Sequence, residues 1–542
     1  MGFSFWGFAG IAKDRGIWIT SNFKLKIMEK QSTTKRVAKN TGFLYIKVVF
    51  NMFVSLYATR VVLNALGIED FGIFNVVGGV VTMLTFLNSS MVSVTQRFMN
   101  YSEGEGDKHK KIVIFNVAVV LHAFIALLVG VIMLATMPIL FSYVLNIAGD
   151  RLLAAKWIYL FSMFSTLFSI LTVPYDAVLT SHENMGYYSV VGIVESTLKL
   201  IAALALSYLA YDRLISYGLF IAVISVLVLV LMRIYCKSHY AECVFQPKKY
   251  LEKQMFYEVS KYAGWNFLGS SSSTLSYNGL NVILNNFFGA TLNAAAGVQS
   301  QIQGYMLTFS TNLQKALNPV IVKYEGAGNR EKVYQSTFAA CKLSVMLYTL
   351  FAIPLFVHCD WILSVWLKML PAYAVIFCQM AVVQKFFEQI SSPLDTAINA
   401  IGRIKLYNVV TSIFYLLQML VLYVAFACGG SPIYFLLVMV VVAMIQTFFR
   451  VWYCASLGDM DAREYAFNVL GRTLIAVLLT FGVAYAFSRF FIGKGFLQLI
   501  SIGFDAILFT VIYYCLGLSQ GERAFVSHAF ITIKNKLNGK NK

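Results

Sequence analysis

The chain has 542 residues, of which 59% are hydrophobic and only 13% charged, whereas soluble domains carry about a quarter of charged residues. This excludes a soluble or disordered protein and defines an integral membrane protein. The net charge of +18 is no nucleic-acid signal, because basic runs such as Lys108-His109-Lys110-Lys111, Lys248-Lys249 and Lys534-Asn535-Lys536 lie in short loops or the tail, with no RNA- or DNA-binding motif beside them.

The first segment, 1–40, reads as a basic N-terminal region. Met1 to Ile27 has neither a long apolar core nor a cleavage site and makes a poor signal peptide. Met28-Glu-Lys-Gln-Ser-Thr-Thr-Lys-Arg is an ordinary polar leader, so 1–27 is either an upstream mis-start or an interfacial segment. Apolar windows of about 20 residues, the length a helix needs to cross the hydrocarbon core, then fall near 42–64, 71–96, 112–141, 156–180, 187–210 and 214–235, forming a unit over 41–236. A linker at 237–258 leads to windows near 259–286, 293–321, 336–358, 373–398, 407–428 and 432–452, a second unit over 259–452. Two more windows, 471–492 and 496–516, fill 453–516, and 517–542 is a basic tail.

The two units repeat each other. Pro174-Tyr-Asp-Ala-Val-Leu-Thr returns as Pro393-Leu-Asp-Thr-Ala-Ile-Asn, 219 positions later, and Tyr188-Ser-Val-Val191 returns as Tyr407-Asn-Val-Val410 at the same offset. Tyr101-Ser-Glu-Gly-Glu-Gly-Asp-Lys108 resembles Tyr324-Glu-Gly-Ala-Gly-Asn-Arg330, and Leu63-Asn64 with Gly67 resembles Leu284-Asn285 with Gly289. Anchors in one order at nearly one spacing mark a duplication. The expected fold is all-α, with about 14 transmembrane helices. Six per lobe is an even number, so the two lobes share one orientation about a pseudo-two-fold along the membrane normal, with two C-terminal helices outside the repeat. Lys and Arg crowd the N-terminus, the loops after even-numbered spans and the tail, which places both termini in the cytoplasm and draws anionic membrane lipids to that rim.

Ionisable residues inside spans are costly and mark partners or water-filled cavities. Glu195 and Lys199 lie one turn apart on the fifth span. Lys385 and Glu388 lie together on the tenth, with Asp395 seven residues on along the same face. Such pairs either neutralise themselves for packing or line a central cavity for a charged substrate or coupling cation. On the second reading, neutralising Lys199 or Lys385 outweighs neutralising Lys47. Gln299, Gln303, Ser310 and Gln314 form one stripe of the eighth span, suited equally to sugar hydroxyls and to interhelical hydrogen bonds. Arg60 and Arg97 serve either as anchors or as substrate contacts. Lys47 and Lys342, within two turns of an interface, are read as snorkelling. Asp505 has no partner evident in sequence. Pro174 with Asp176 and Pro393 with Asp395 make either matched hinges or inner-gate groups, or plain caps at the ends of their helices. The eight cysteines and six histidines show no metal-type spacing, so no metal centre is expected.

The run from Ser55 to Gly79, Ser-Leu-Tyr-Ala-Thr-Arg-Val-Val-Leu-Asn-Ala-Leu-Gly-Ile-Glu-Asp-Phe-Gly-Ile-Phe-Asn-Val-Val-Gly-Gly, resembles the opening of polysaccharide flippases of the multidrug/oligosaccharidyl-lipid/polysaccharide (MOP) exporter superfamily. So do Phe86-Leu-Asn-Ser-Ser90, Thr95-Gln-Arg-Phe98, Gly264-Trp-Asn-Phe-Leu-Gly269, the stretch from Asn286 to Ala296, and Asn318-Pro319. The similarity spans roughly 40 to 520. It implies translocation of an undecaprenyl-pyrophosphate-linked oligosaccharide for O-antigen or capsule synthesis across the bacterial inner membrane, by alternating access of the two lobes. Sodium, protons or the membrane potential would drive it, with no cofactor, in a monomer served by polymerase and chain-length partners. Arg60, Arg97, Lys199 and Lys385 would then meet the pyrophosphate, the Gln299-to-Gln314 stripe the sugars, and Glu195 and Glu388 would form ion pairs or couple the cation. The rivals are a cation-coupled multidrug exporter of the same superfamily, which typically carries an acid on the first, seventh or tenth span, where this chain has Asn51 on the first, Asn281 and Asn285 on the seventh and acids, Glu388 and Asp395, on the tenth alone, and a membrane-embedded polymerase or ligase. The short external loops argue against an enzyme.

Overall fold

The computed structural model describes the backbone of residues 8–523 and 527, apart from 84, 145, 146, 148, 210, 368–370 and 492–494. Side chains are described from residue 36 onward, excepting scattered helical positions. The expectation for residues 1–27 concerns side chains outside the described residues.

Every element among the described residues is helical: α1 (Phe8–Met83), α2 (Thr85–Glu105), α3 (Lys108–Ile139), α4 (Leu152–Ser181), α5 (Met185–Ala205), α6 (Arg213–His239), the single turn α7 (Pro247–Tyr250), α8 (Lys253–Gly326), α9 (Arg330–Val357), α10 (Cys359–Trp366), α11 (Ala374–Ile401), α12 (Ile404–Ala427), α13 (Ile433–Ser456), the single turn α14 (Ala462–Glu464), α15 (Arg472–Ser488) and α16 (Gln498–Ile512). Two of these are not single straight helices. Gly67, at φ +81, breaks α1 into two arms, a conformation open to glycine because it lacks a Cβ. In α8 the Tyr277 hydroxyl donates to Ser300 Oγ at 2.7 Å. A straight helix would hold these residues about 35 Å apart, so α8 doubles back between them and supplies the seventh and eighth spans.

Ten helices or helix arms among the described residues are long and apolar enough to cross a membrane. Of the other expected spans, the second is divided between the second arm of α1 and α2, while the seventh and eighth, carried by α8, and the tenth, carried by α11, fall short of that apolar content. The reason is physical: α2 and α8 form most of the contact between the lobes, so protein rather than lipid surrounds their polar side chains, and α11 carries Lys385, Glu388 and Asp395.

Helices α1 to α6 pack on one another, α4 against α6 and α3, and α5 against α1. Helices α8 to α13 form a second group around α11, with α15 and α16 laid on α9. The turns after α2 and α8 are built alike. Gly106 (φ +74) and Gly328 (φ +71) end the helices. Asp107 and Asn329 then accept the Lys110 and Lys332 amides as N-caps of α3 and α9. This shared chemistry produces the repeated Gly-Asp and Gly-Asn of the sequence. These turns, and the C-terminal ends of α4 and α11, lie at one end of the bundle, called here the basic end.

Candidate functional site

Tyr188 on α5 stands where the two lobes meet. Lys315, from the second arm of α8, donates to its hydroxyl at 2.6 Å and places its Nζ 3.8 Å from the ring centroid. Lys47 on α1 comes within 4.0 Å of the same centroid, a cation–π contact. Lys47 reaches the ring because Gly192, one turn beyond Tyr188, has no side chain: a Cβ there would lie 2.3 Å from Lys47 Cε. Beside them opens a cavity of about 130 Å³ lined by Lys47, Asp176, Tyr188, Gly192 and Glu195 among others. Asp176 is within electrostatic reach of Lys315 and Lys47, and its Oδ1 has no hydrogen-bond partner among the described residues. With Lys199 also near, three lysines face two carboxylates, leaving one positive charge in excess. Lys47 is therefore a cavity residue rather than a snorkelling one.

The repeated copy in the other lobe is closed. Tyr407 donates to Asp395, Arg450 on α13 pairs with Asp395 at 2.9 Å, and the same guanidinium reaches the Tyr407 hydroxyl at 3.1 Å and Ser391 Oγ at 3.0 Å. At the offset of 219 the residue matching Arg450 is Leu231, so α6 supplies no cation there. Tyr188 and Asp176 are met instead by Lys47 of α1 and, from across the interface, by Lys315. Neither Pro-x-Asp caps a helix end: α4 continues to Ser181 beyond Pro174, and α11 to Ile401 beyond Pro393.

The remaining candidates divide by what holds them. Lys199 pairs with Glu195 at 2.6 Å and Lys385 with Glu388 at 2.6 Å, each within its own helix. In the amide stripe, Ser310 donates to the Ser344 carbonyl at 2.7 Å and Gln303 to the Ala381 carbonyl at 3.3 Å. Gln314 reaches Ser344 Oγ and Gln389 Oε1, both at 3.2 Å. These three stitch α8 to α9 and α11, the packing use of such groups. Gln299 is buried, its Oε1 without a partner among the described residues, beside a small recess with Tyr277 and Asn281. Arg60 is exposed on α1. Lys342 is buried and pairs with Glu522 at 3.0 Å, so it does not snorkel. Asp505 has a partner after all, His358 at 3.2 Å.

Arg97 closes the basic end. Its Nε and a terminal nitrogen donate to the Asn399 and Ala400 carbonyls at 2.9 and 3.0 Å, capping α11 from the other lobe. In reverse, Lys323 on α8 pairs at 2.8 Å with Glu183, just past α4. Between these fasteners α2 and α8 cross with no side chain at the closest points. A Cβ on Gly104 would lie 2.1 Å from the Lys323 carbonyl oxygen, and one on Gly326 2.1 Å from that of Tyr101. The closing contacts thus come from Arg97, Lys323, Glu183 and the two glycines, while Asp176 and Asp395 sit inside their lobes. Reading the sequence overlooked Lys315, Tyr188 and Arg450. The tyrosine was signalled by its recurrence at 407, and the two cations by lying within apolar windows.

A family model for polysaccharide biosynthesis proteins matches residues 37–325, more than half of the chain. The chain belongs to the polysaccharide biosynthesis protein family. A second model, MatE, matches 266–424, and both place the chain in the MOP superfamily of membrane transporters. Among solved structures, a MOP superfamily transporter from Pyrococcus furiosus, described as having a binding pocket of reversed polarity, shares 13% identity at a TM-score of 0.66, covering 79% of this chain and 97% of its own. An outward-facing multidrug resistance MATE transporter gives 12% identity, a TM-score of 0.66 and coverage of 79% and 97%. A MATE protein in complex with MaD3S gives 14%, 0.65, 78% and 97%. These likenesses establish the fold. No curated protein matches the sequence.

Proposed function

We propose that this polysaccharide biosynthesis family member flips a diphosphate-linked oligosaccharide lipid across the bacterial inner membrane, with both termini cytoplasmic and the basic end facing the cytoplasm. The observation that carries the reading is the junction at Tyr188, where Lys47 from one lobe and Lys315 from the other meet with positive charge in excess. A diphosphate needs cations held in a low-dielectric site. Lysines contributed by both lobes let a bound anion draw the lobes together, which a cation on one lobe alone could not do. Lys199 and Lys385 are weaker candidates than composition suggested, since each is neutralised within its own helix. Neutralising Lys47 or Lys315 is therefore expected to slow flipping more than neutralising Lys199. Glu195 and the unpartnered oxygen of Asp176 are the groups available to a coupling cation, and the polymerase and chain-length machinery are the expected partners.

Deleting the gene in a host without a paralogue should accumulate lipid-linked oligosaccharide in the inner leaflet and abolish surface polymer. Unchanged surface polysaccharide would overturn the assignment. A drug-exporting role is the second reading, favoured by the MatE match over 266–424. It predicts raised sensitivity to cationic drugs in the same deletion with normal surface polymer.

A further inference from the structure

The fasteners at the basic end have an uneven charge balance. Glu183 is held by two cations, Lys323 of the other lobe at 2.8 Å and Arg36 of its own lobe at 2.7 Å. Arg97 is held by carbonyls of α11, by the Tyr262 ring of α8 at 4.9 Å, and by Phe98 and Tyr101 of its own helix, with no carboxylate among the contacts found for it. The other acids around this mouth are paired within their own lobes: Glu103 with Lys111 at 2.5 Å, Glu105 with Lys110 at 2.6 Å and Glu325 with Arg330 at 2.5 Å. If the lobes part at this end, Glu183 keeps Arg36, while Arg97 loses the α11 carbonyls and Lys323 loses Glu183. Opening therefore releases two cations, one from each lobe, and no anion.

We propose that Arg97 and Lys323 serve twice. In the state described here they fasten the lobes, and in the state open at the basic end they receive a diphosphate, so that headgroup binding and closure exclude each other. The chemistry matches: a guanidinium fork grips phosphate oxygens bidentately and an ammonium adds a point charge. The identity of the diphosphate as that of a lipid-linked sugar rests on the flippase reading, but the site does not.

The test uses full-length purified protein with the exposed Cys428 and Cys515 changed to serine and Asn100→Cys added as a reporter. Asn100 is buried on α2 between Arg97 and Gly104. Glu183→Gln unfastens one latch and leaves both cations. It should raise maleimide labelling of the reporter by roughly tenfold, the effect of one ion pair of about 1.4 kcal/mol on an equilibrium, and inorganic pyrophosphate, which binds the open state, should raise labelling further in this variant and in the parent. Arg97→Gln with Lys323→Gln should label as fast without ligand, and pyrophosphate should add nothing. Should the double variant not fold, Lys323→Gln alone should label faster and lose most of the pyrophosphate response. Unchanged labelling in Glu183→Gln would overturn the latch. An equal pyrophosphate response in the double variant, slower labelling of the parent in pyrophosphate, or an equal response to sulfate at matched ionic strength would overturn the diphosphate site. The expected pattern in a protein whose deletion leaves surface polymer intact would support the site and sink the flippase reading.

Discussion

Asp176 and Asp395 are the same residue in two copies, and their neighbours give them different work. Asp395 answers Arg450, so Asp395→Asn strands a buried guanidinium. Breaking a buried pair from one side costs about 3 kcal/mol or more, seen as a lower melting temperature and a poorer yield of monodisperse protein in detergent. Asp176→Asn should cost clearly less, because one of its oxygens has no partner among the described residues, and should act on transport instead. Equal melting temperatures for the two variants would refute this division. Glu183 is a second telling residue. It holds φ +54 where its repeat partner, Gly402, holds φ +88. A glutamate in the left-handed region carries strain of about 1 kcal/mol or more, tolerated because the turn aims its carboxylate at Arg36 and Lys323. Gly402 has no such freedom, since a Cβ there would lie 2.8 Å from the Arg97 guanidinium.

Among the elements, α2 and α8 set how closely the lobes approach. Gly104→Ala or Gly326→Ala would push a methyl into a backbone carbonyl rather than into a yielding side chain, so either should drive the helices apart. The expected outcome is faster labelling of the Asn100→Cys reporter and a lower melting temperature; a silent alanine at both positions would show that the crossing is looser than described. At the opposite end, Arg151 before α4 clamps Asp70 of α1 and Asp212 before α6, the latter at 2.6 Å. Burial alone would raise the Asp212 carboxyl, but the Arg151 hydrogen bond and charge, with the amides of Ile215 and Leu214, together outweigh it and hold the group below its ordinary value. A carboxyl held low in the folded state contributes stability that is full above its unfolded value near 4 and is lost as pH falls through the lower folded value. Arg151→Gln should therefore melt earlier at neutral pH and lose less on acidification than the parent, as read by thermal unfolding across that range. Much of this layer was legible in sequence, because Gly-Asp and Gly-Asn turns, proline positions and apolar windows are local signals. The doubling back of α8 was legible too, as the gap between the windows at 259–286 and 293–321, but the identity of cross-lobe partners was not, because that depends on which helices meet in space.

For the whole molecule, the duplication was readable because insertions had shifted the offset between copies by only a few residues, and the membrane class because composition alone requires it. The site was readable only in part. Ionisable residues inside spans stood out, but a sequence cannot tell an in-helix pair such as Lys385 and Glu388 from a cross-lobe contact such as Lys315 to Tyr188. The last two helices lie outside the repeat and are fixed to α9 partly through His358 and Asp505, a pair almost wholly buried. His358→Leu leaves the aspartate without that partner, a cost of roughly 2 kcal/mol. Asp505→Asn keeps a hydrogen-bonding partner for the imidazole and should cost less. The order of the two melting temperatures checks this, and a reversed order would remove the pair from the account of how α16 is held.

The closed Arg450 cluster also bears on ancestry. Two halves that began as copies could once have been exchanged, but a chain rebuilt from two first halves would carry two open sockets and no rivet, and one built from two second halves would be riveted throughout with nowhere for a cargo to act. Each half has become the complement of the other, and a swapped chimera should therefore fail for opposite reasons depending on which half is doubled.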